Sequence, residues 1–414
     1  MSERTKMGDN EVQMARIYMD YNATTPLAHE VKEAIINGLS MWGNPSSSYS
    51  LGQEARVAIE DARLQIASMI HAFPEEILFT SGGTEANHMV IHSVICEEAD
   101  QGNPIHIITS TIEHDAILEP LKYLQKQKHI DVTYLEPRGE VGTILVEDVE
   151  KAIRPSTLLI TLMMANNETG ILLPIQGVAL SHLQSFDSER TIIKSADLLL
   201  VLPCILLPFL KAIKCYEEAE VLFGREGDAP FYGPRIGALY VRGLGSGDGA
   251  LFPLFRGGGQ ERGYRPGTEN TPMILGLGAA AFLVCLNLSS YQKHMENMRN
   301  ALITLLKEAF EESLVIHGDI DPKNRLPNTV NFSLKPPLYT VKGREILGKI
   351  PRLCASTSAA CHSHSVKPSR VLLACGVDEN LAAGAIRLSV GRETTEQEIK
   401  EAVLLLRESV SLHK

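Results

Sequence analysis

The run ILFTSGGTEANHMVIHSV, residues 77–94, reads as a strand, a glycine-rich turn and a helix. Such a turn exposes backbone N–H groups at a helix N-terminus, where the helix dipole favours an anion. Gly82 and Gly83 permit close approach, and Thr84 adds a hydroxyl. An ordinary βα turn capped by Thr84 has the same pattern, so the stretch decides the fold before it decides a ligand.

The alternation continues outward. EILFT, IHIIT, VTYLE and LLITLMMA read as strands; residues 52–70, 84–97, 115–126 and 146–153 read as helices. Strands alternating with helices predict a mainly parallel, twisted sheet covered on both faces. Ligands of such sheets sit at the carboxyl ends of the strands. Two more strand ends therefore matter. IHIITSTIEHDAILEPL places His114 at the mouth of the sheet, where an imidazole stacks on an aromatic ligand or simply caps a helix. LLITLMMANNETGILLP places Asn166, Asn167 and Glu168 after an apolar run. Asx residues favour turns by local bonding; an amide here also suits a ring substituent of a cofactor.

After about residue 275 the texture changes. Met298, Leu302, Leu305 and Ala309 fall at helical spacing, NTVNFSL reads as a strand, and TEQEIKEAVLLLRESV reads as a closing helix. There Thr395 and Glu398 make a capping box, and Ile399, Val403, Leu406 and Val410 make the buried stripe. This predicts a large α/β domain over 1–275 and a smaller α+β domain over 276–414.

Three further stretches carry chemistry. FRGGGQERGYRPGTENTP, 255–272, offers Arg262, Arg265 and Thr268 to a phosphate. STSAACHSHSVKPSRVLLACGV sets Cys361 among small residues that leave a thiol accessible, with His362 and His364 after it; the spacing matches no standard zinc pattern. Cys354 and Cys375 sit in apolar runs and fit a buried structural role. AIRLSVGRETT offers Arg387 and Arg392, suited to bidentate carboxylate binding or to surface ion pairs.

Together these stretches, with YMDYNATTP, NPSSS, FYGPRIGALY and RLPNTVNFS, resemble the NifS/IscS-like branch of the class V pyridoxal-phosphate enzymes, and within it the selenocysteine lyases. The resemblance covers 17–175 and 231–411. It implies a fold-type I homodimer, with pyridoxal 5'-phosphate as cofactor and selenocysteine as substrate, converted to alanine and reduced selenium. By position, Gly83 and Thr84 would hold the phosphate, His114 would stack on the ring, and Asn167 would bond the ring hydroxyl. Thr268 would reach the phosphate in the neighbouring subunit. Arg387 and Asn22 would bind the substrate, and Cys361, with His114, would serve catalysis by receiving or protonating the leaving chalcogen.

The resemblance fails over 176–230. The family places its covalent cofactor lysine immediately before the Phe of FYGP; here that position is Pro230, which has no amine. The family's Asp beside the pyridine nitrogen has its nearest counterpart in Asp197, with Ser195 where a His is expected and Leu200 where a Gln is expected. A replaced block, such as a substituted exon or a misread gene, gives this pattern more readily than scattered drift. The expectation is a lyase scaffold with impaired turnover, against two alternatives: a cysteine desulfurase, or an inactive dimerising paralogue.

Composition sets the outer bounds. The chain has 414 residues, 44% hydrophobic and 21% charged; 39 basic and 50 acidic residues leave a net charge of -11, with no basic cluster for nucleic acid. Seven scattered cysteines, without a C-x-x-C pair, suit a reduced cytosolic protein, and the polar N-terminus lacks a secretory or transit pattern. The apolar run inside 195–214 is uncharged only from Leu198 to Leu210 and contains Pro203 and Pro208. It falls short of the about 20 residues a membrane helix needs and reads as a buried segment.

Overall fold

The computed structural model describes residues 16–99, 104–138, 142–178, 199–203, 221–224, 236–245, 251–318, 322–335, 342–357 and 367–411. Its main sheet contains β2 (Ile77–Thr80), β3 (His106–Ser110), β4 (Asp131–Leu135), β5 (Thr157–Thr161), β6 (Leu199–Pro203), β7 (Val221–Gly224) and β8 (Gly237–Tyr240), in the order β2-β8-β7-β6-β5-β3-β4. All neighbours are parallel except at β8, which runs antiparallel to both β2 and β7. The α/β reading with a mainly parallel sheet is thus borne out.

Helix α1 (His29–Ser40) was not read from the sequence; α2 (Ser50–Ile70), α3 (Gly83–Ala99), α4 (Asp115–Lys126) and α5 (Val146–Ala152) follow the expected periodic segments closely. Alternation along the strands feeds two cores. Ile107 and Leu159 join Met89 and Val90 of α3 and Ile117 and Leu121 of α4 on one face. Ile108 and Ile160 join Ile144 and Val149 on the other. Both faces being covered explains why these strands read as continuous apolar runs.

Residue 275 falls inside α6 (Thr271–Phe310), one continuous helix. By length and composition it is apolar enough to cross a membrane. Here it packs against α1, α2 and the closing helix over Glu396–Ser411, burying Ile274, Leu277, Ala281 and Val284. Beyond it come α7 (Gly343–Gly348), α8 (Arg370–Ala374), α9 (Glu379–Ala383) and α10 (Glu396–Ser411). The capping box of α10 forms: Thr395 N–H donates to Glu398 Oε2 at 2.8 Å, and Glu398 N–H to Thr395 Oγ1 at 3.2 Å.

A second, antiparallel sheet has the order β12-β10-β9, from β9 (Leu314–His317), β10 (Thr329–Leu334) and β12 (Ile386–Ser389). The N-terminal strand β1 (Ile17–Tyr18) pairs with β11 (Leu353–Cys354), and Asp20 bridges to Ser389. The YMDYN segment is therefore delivered to the C-terminal sheet.

The apolar run near residue 200 contributes to the sheet, where Leu199–Pro203 forms an inner strand between β5 and β7. Pro203 is its last residue, where a missing N–H disturbs the ladder least. One expectation needs correction, and it concerns arginines in the site, below. Positions 179–198, 204–220 and 225–235 lie outside the described residues, so Asp197 and Pro230 do as well; Cys361, His362 and His364 lie outside them too.

Candidate active site

Strand β2 ends in the Gly82–Gly83 turn that opens α3. Thr80 Oγ1 donates to the Gly82 carbonyl at 3.0 Å. Gly237, opposite on β8, must lack a side chain, since a Cβ there would lie 2.6 Å from Gly82 backbone. A Cβ on Gly82 would meet nothing within 4 Å, so the space before the turn is open. Glu85, in the first turn, accepts from Ser81 N–H at 2.8 Å. Burial would raise its carboxyl, but the bonds from Arg265 and Ser81 hold it below the usual value.

The loop over 256–270 carries the correction. Arg265 does not stand free for a phosphate: its Nε and second nitrogen bond Glu85 at 2.7 and 3.2 Å. Arg262 donates to the Ile77 carbonyl at 2.8 Å. Thr268 is exposed and lines a cavity of about 280 Å³ together with Ser81, Arg265 and Glu269.

His114 is the N-cap of α4, half-buried at the carboxyl end of β3. Its Nδ1 accepts from Ala116 N–H at 3.1 Å, which places the proton of the neutral ring on Nε2. The neighbouring Glu113 is fully buried, and burial pushes its carboxyl up to about 8. Its Oε1 accepts from Met163 N–H at 2.6 Å and Ser110 Oγ at 3.2 Å; its Oε2 has no partner among the described residues. Glu113 thereby ties the His114 loop to the end of β5.

Asn166 serves structure. Its Oδ1 accepts from the N–H groups of Glu168 and Thr169, each at 2.9 Å, and its Nδ2 donates to the Ile112 carbonyl at 3.1 Å. That fixes the turn bearing Asn167, whose buried side-chain amide makes no hydrogen bond among the described residues. The Asn167 carbonyl is gripped twice: by Asn22 Nδ2 at 2.9 Å and by Arg387 at 3.1 Å.

Arg387 is completely buried on β12. It pairs with Asp20 at 2.7 Å, and Asp20 accepts from Ser356 Oγ at 2.6 Å. Among the described residues the Arg387 Nε has no partner, so the guanidinium retains donor capacity there. Asn22 retains none. Its Nδ2 also donates to Thr329 Oγ1 at 2.8 Å, and its Oδ1 accepts from Asn328 at 3.0 Å. The side chain expected to meet substrate is committed to holding Asn167 in register with the C-terminal sheet.

The structure thus brings Asn22, Asn167 and Arg387 into one cluster. His114 lies at the carboxyl end of a neighbouring strand, and Gly83 and Thr84 lie at the turn after β2. Asp20, Glu113 and Glu85 were not singled out from sequence, and Arg265 was singled out for a phosphate instead of for Glu85. Asp20 was legible only as a member of YMDYN, and the others carry no local signal. Cys375 fits a structural role, its thiol pushed up to about 12 by burial and then by Glu168.

Comparison with known proteins agrees with this layout. Residues 17–185 match the aminotransferase class-V family. The chain is 44% identical over 416 residues to a selenocysteine lyase of Xenopus tropicalis, covering 96% of this chain and 94% of that protein. It is 38% identical to the cysteine desulfurase IscS of Dictyoglomus turgidum, covering 92% and 91%. The solved structure of a NifS-like protein superposes with a TM-score of 0.80 at 30% identity, covering 96% of this chain and all of that one. The chain belongs to the class-V aminotransferase family, in the branch that holds the selenocysteine lyases and the NifS/IscS-like cysteine desulfurases.

Proposed function

We propose that this chain carries the binding site of a pyridoxal-phosphate-dependent selenocysteine lyase, acting on L-selenocysteine to give L-alanine and reduced selenium, with turnover impaired by the loss of the covalent lysine at Pro230. The observation that carries the binding part is the double grip of Asn22 and Arg387 on the Asn167 carbonyl. It holds a cofactor-facing amide and a carboxylate-binding guanidinium in one rigid cluster.

The described residues fit the cofactor at its ends. The open turn at Gly82, followed by Gly83 and Thr84, suits a phosphate. The unbonded Asn167 amide suits the ring hydroxyl, and the Nε2–H tautomer of His114 leaves an uncharged ring for stacking. When bound, the cofactor supplies an electron sink for cleavage at the substrate β-carbon. Arg387, with Nε unbonded, orients the substrate carboxylate, and Asp20 holds the guanidinium in plane. The Cys361 thiolate would take the selenium as a selenosulfide while the β-carbon keeps the bonding pair and gains a proton, and an added thiol reductant would then release selenide.

Asp197 in the pyridine-nitrogen role, Thr268 reaching across a homodimer, a cytosolic setting and the division at residue 275 belong to the same proposal. Exposed Ile36, Leu39, Trp42 and Val57, on and beside α1 and α2, support a subunit interface. Unpaired Cys96, Cys285, Cys354 and Cys375 support a reducing compartment. Relatives of both kinds leave sulfur as the competing leaving atom, and AACHSHS favours selenium.

The test is spectroscopic titration of the purified chain with pyridoxal 5'-phosphate, followed by dialysis, and assays for selenide and sulfide release. We expect saturable binding that dialysis reverses, weakened by Thr84→Ala, with turnover far below that of a lysine-bearing relative. Absence of saturable binding would defeat the site assignment; sulfide release exceeding selenide release would defeat the substrate.

A further inference from the structure

Strand β2 is the open edge of the main sheet. Two of its outward backbone groups are nevertheless taken up by side chains instead of a strand. Phe79 N–H donates to Glu261 Oε2 at 2.8 Å. The Ile77 carbonyl accepts from Arg63 at 2.9 Å and from Arg262 at 2.8 Å. Arg63 also grips both oxygens of Glu261, at 2.9 and 2.5 Å, and its guanidinium lies 4.6 Å from the centre of the Phe79 ring. Arg63 and Glu261 are only 4% and 6% exposed, so the pair is a buried one.

The backbone at this point is strained. Glu261 and Arg262 have φ of 46° and 58°, left-handed values that residues with a Cβ adopt at a cost. Two successive such residues persist where surrounding bonds over-determine them, and the ion pair provides those bonds. Four residues on from Glu261, Arg265 forms its fork with Glu85. The loop over 256–270 is therefore fastened on both sides of the Gly82–Thr84 turn: upstream to β2, downstream to the first turn of α3. The same loop presents Thr268.

We propose that Glu261, acting with Arg63, is a positioning residue for the phosphate end of the cofactor site. It fixes the Gly82–Thr84 turn and the Thr268 loop as one unit, so that the phosphate contacts of a subunit's own site and of its neighbour's are set together. The inference rests on the reading that Gly83, Thr84 and Thr268 meet the cofactor phosphate.

The test compares the full chain with Glu261→Gln and with the charge-free pair Arg63→Met/Glu261→Gln, which leaves no lone buried charge if the single variant fails to fold. Two readouts are used. Without cofactor, hydrogen exchange is followed at 77–86, at 256–270 and, as a control, at 396–411. With ligand, affinities are measured for pyridoxal 5'-phosphate and for pyridoxal, which lacks the phosphate. Exchange should rise at 77–86 and 256–270 together and stay unchanged at 396–411. Affinity for pyridoxal 5'-phosphate should fall about tenfold, the scale of a charge-assisted bond lost, with pyridoxal binding unaltered. A rise confined to 256–270, a rise everywhere, or equal weakening of both ligands would overturn the proposal. If the unaltered chain does not distinguish the two ligands, the phosphate reading falls, and the exchange pattern alone decides the clamp.

Discussion

Glu113 and Arg387 are two buried ionisable side chains, one held by neutral donors and the other against a carboxylate. Arg387 meets Asp20 and the Asn167 carbonyl, Glu113 meets Met163 N–H and Ser110, and among the described residues each keeps one atom, Arg387 Nε and Glu113 Oε2, without a partner. Burial raises the Glu113 carboxyl from 4.5 to about 8. A raised folded value means stability that is complete below about pH 4.5 and is lost as pH rises through 8, on the order of 3 kcal/mol near neutrality. Glu113→Gln, which does not ionise, should therefore gain on the native chain as pH rises from 5 to 8 in denaturant titrations. A difference independent of pH would show that Glu113 is ionised in the fold. For Arg387, replacement by Lys keeps the charge but loses the fork that spans Asp20 and Asn167. Amino-acid substrate should bind about 10- to 100-fold more weakly to Arg387→Lys, and pyridoxal 5'-phosphate should lose less, since Asn22 still holds Asn167. Equal losses for both ligands would remove Arg387 from the carboxylate role. At this scale the sequence revealed the placement of a residue that sits in a motif, as with His114 and Asn167 beyond strand ends. It was silent on Glu113, whose role depends on Met163 arriving from another strand.

Elements were the most legible scale, because each carries its own periodicity and caps. The strand–turn–helix over 77–94 and the capping box at Thr395 both appear as read. Thr395→Ala should cost about 1 kcal/mol of stability, by loss of a cap bond at an exposed helix start, and should leave ligand binding unchanged. A loss well beyond about 2 kcal/mol would mean that α10 docking, and not the cap alone, depends on Thr395. What the elements concealed was their partners. Nothing local in YMDYN announces that it will bridge to Ser389, nor in GGGQER that it will cap the edge of β2. Contacts between residues hundreds apart are fixed by topology. The arginines at 262 and 265 show the consequence: residue type suggested phosphate ligands, and position made them clamps.

At the scale of the whole molecule, a family scaffold carries a segment in which the family's lysine and Asp motifs are not matched. Sequence order of the motifs identified the scaffold, and the same reading located the break at 176–230. Leu199–Pro203 and Val221–Gly224 still complete the sheet. Fold is therefore compatible with the altered block, because any apolar run of strand length can fill an inner position. Chemistry is more demanding, since a general acid–base group alone contributes about 10²- to 10⁴-fold and Pro230 offers none. For the same reason Pro230→Lys should not fully restore turnover while the segment around Asp197 remains altered. The most direct measurement is borohydride reduction of the purified chain with pyridoxal 5'-phosphate, followed by peptide mapping and a selenide-release assay on the same preparation. The expected result is no stoichiometric phosphopyridoxyl-lysine and little selenide. A stoichiometric label on a lysine within 176–230, with efficient turnover of selenocysteine, would contradict the account.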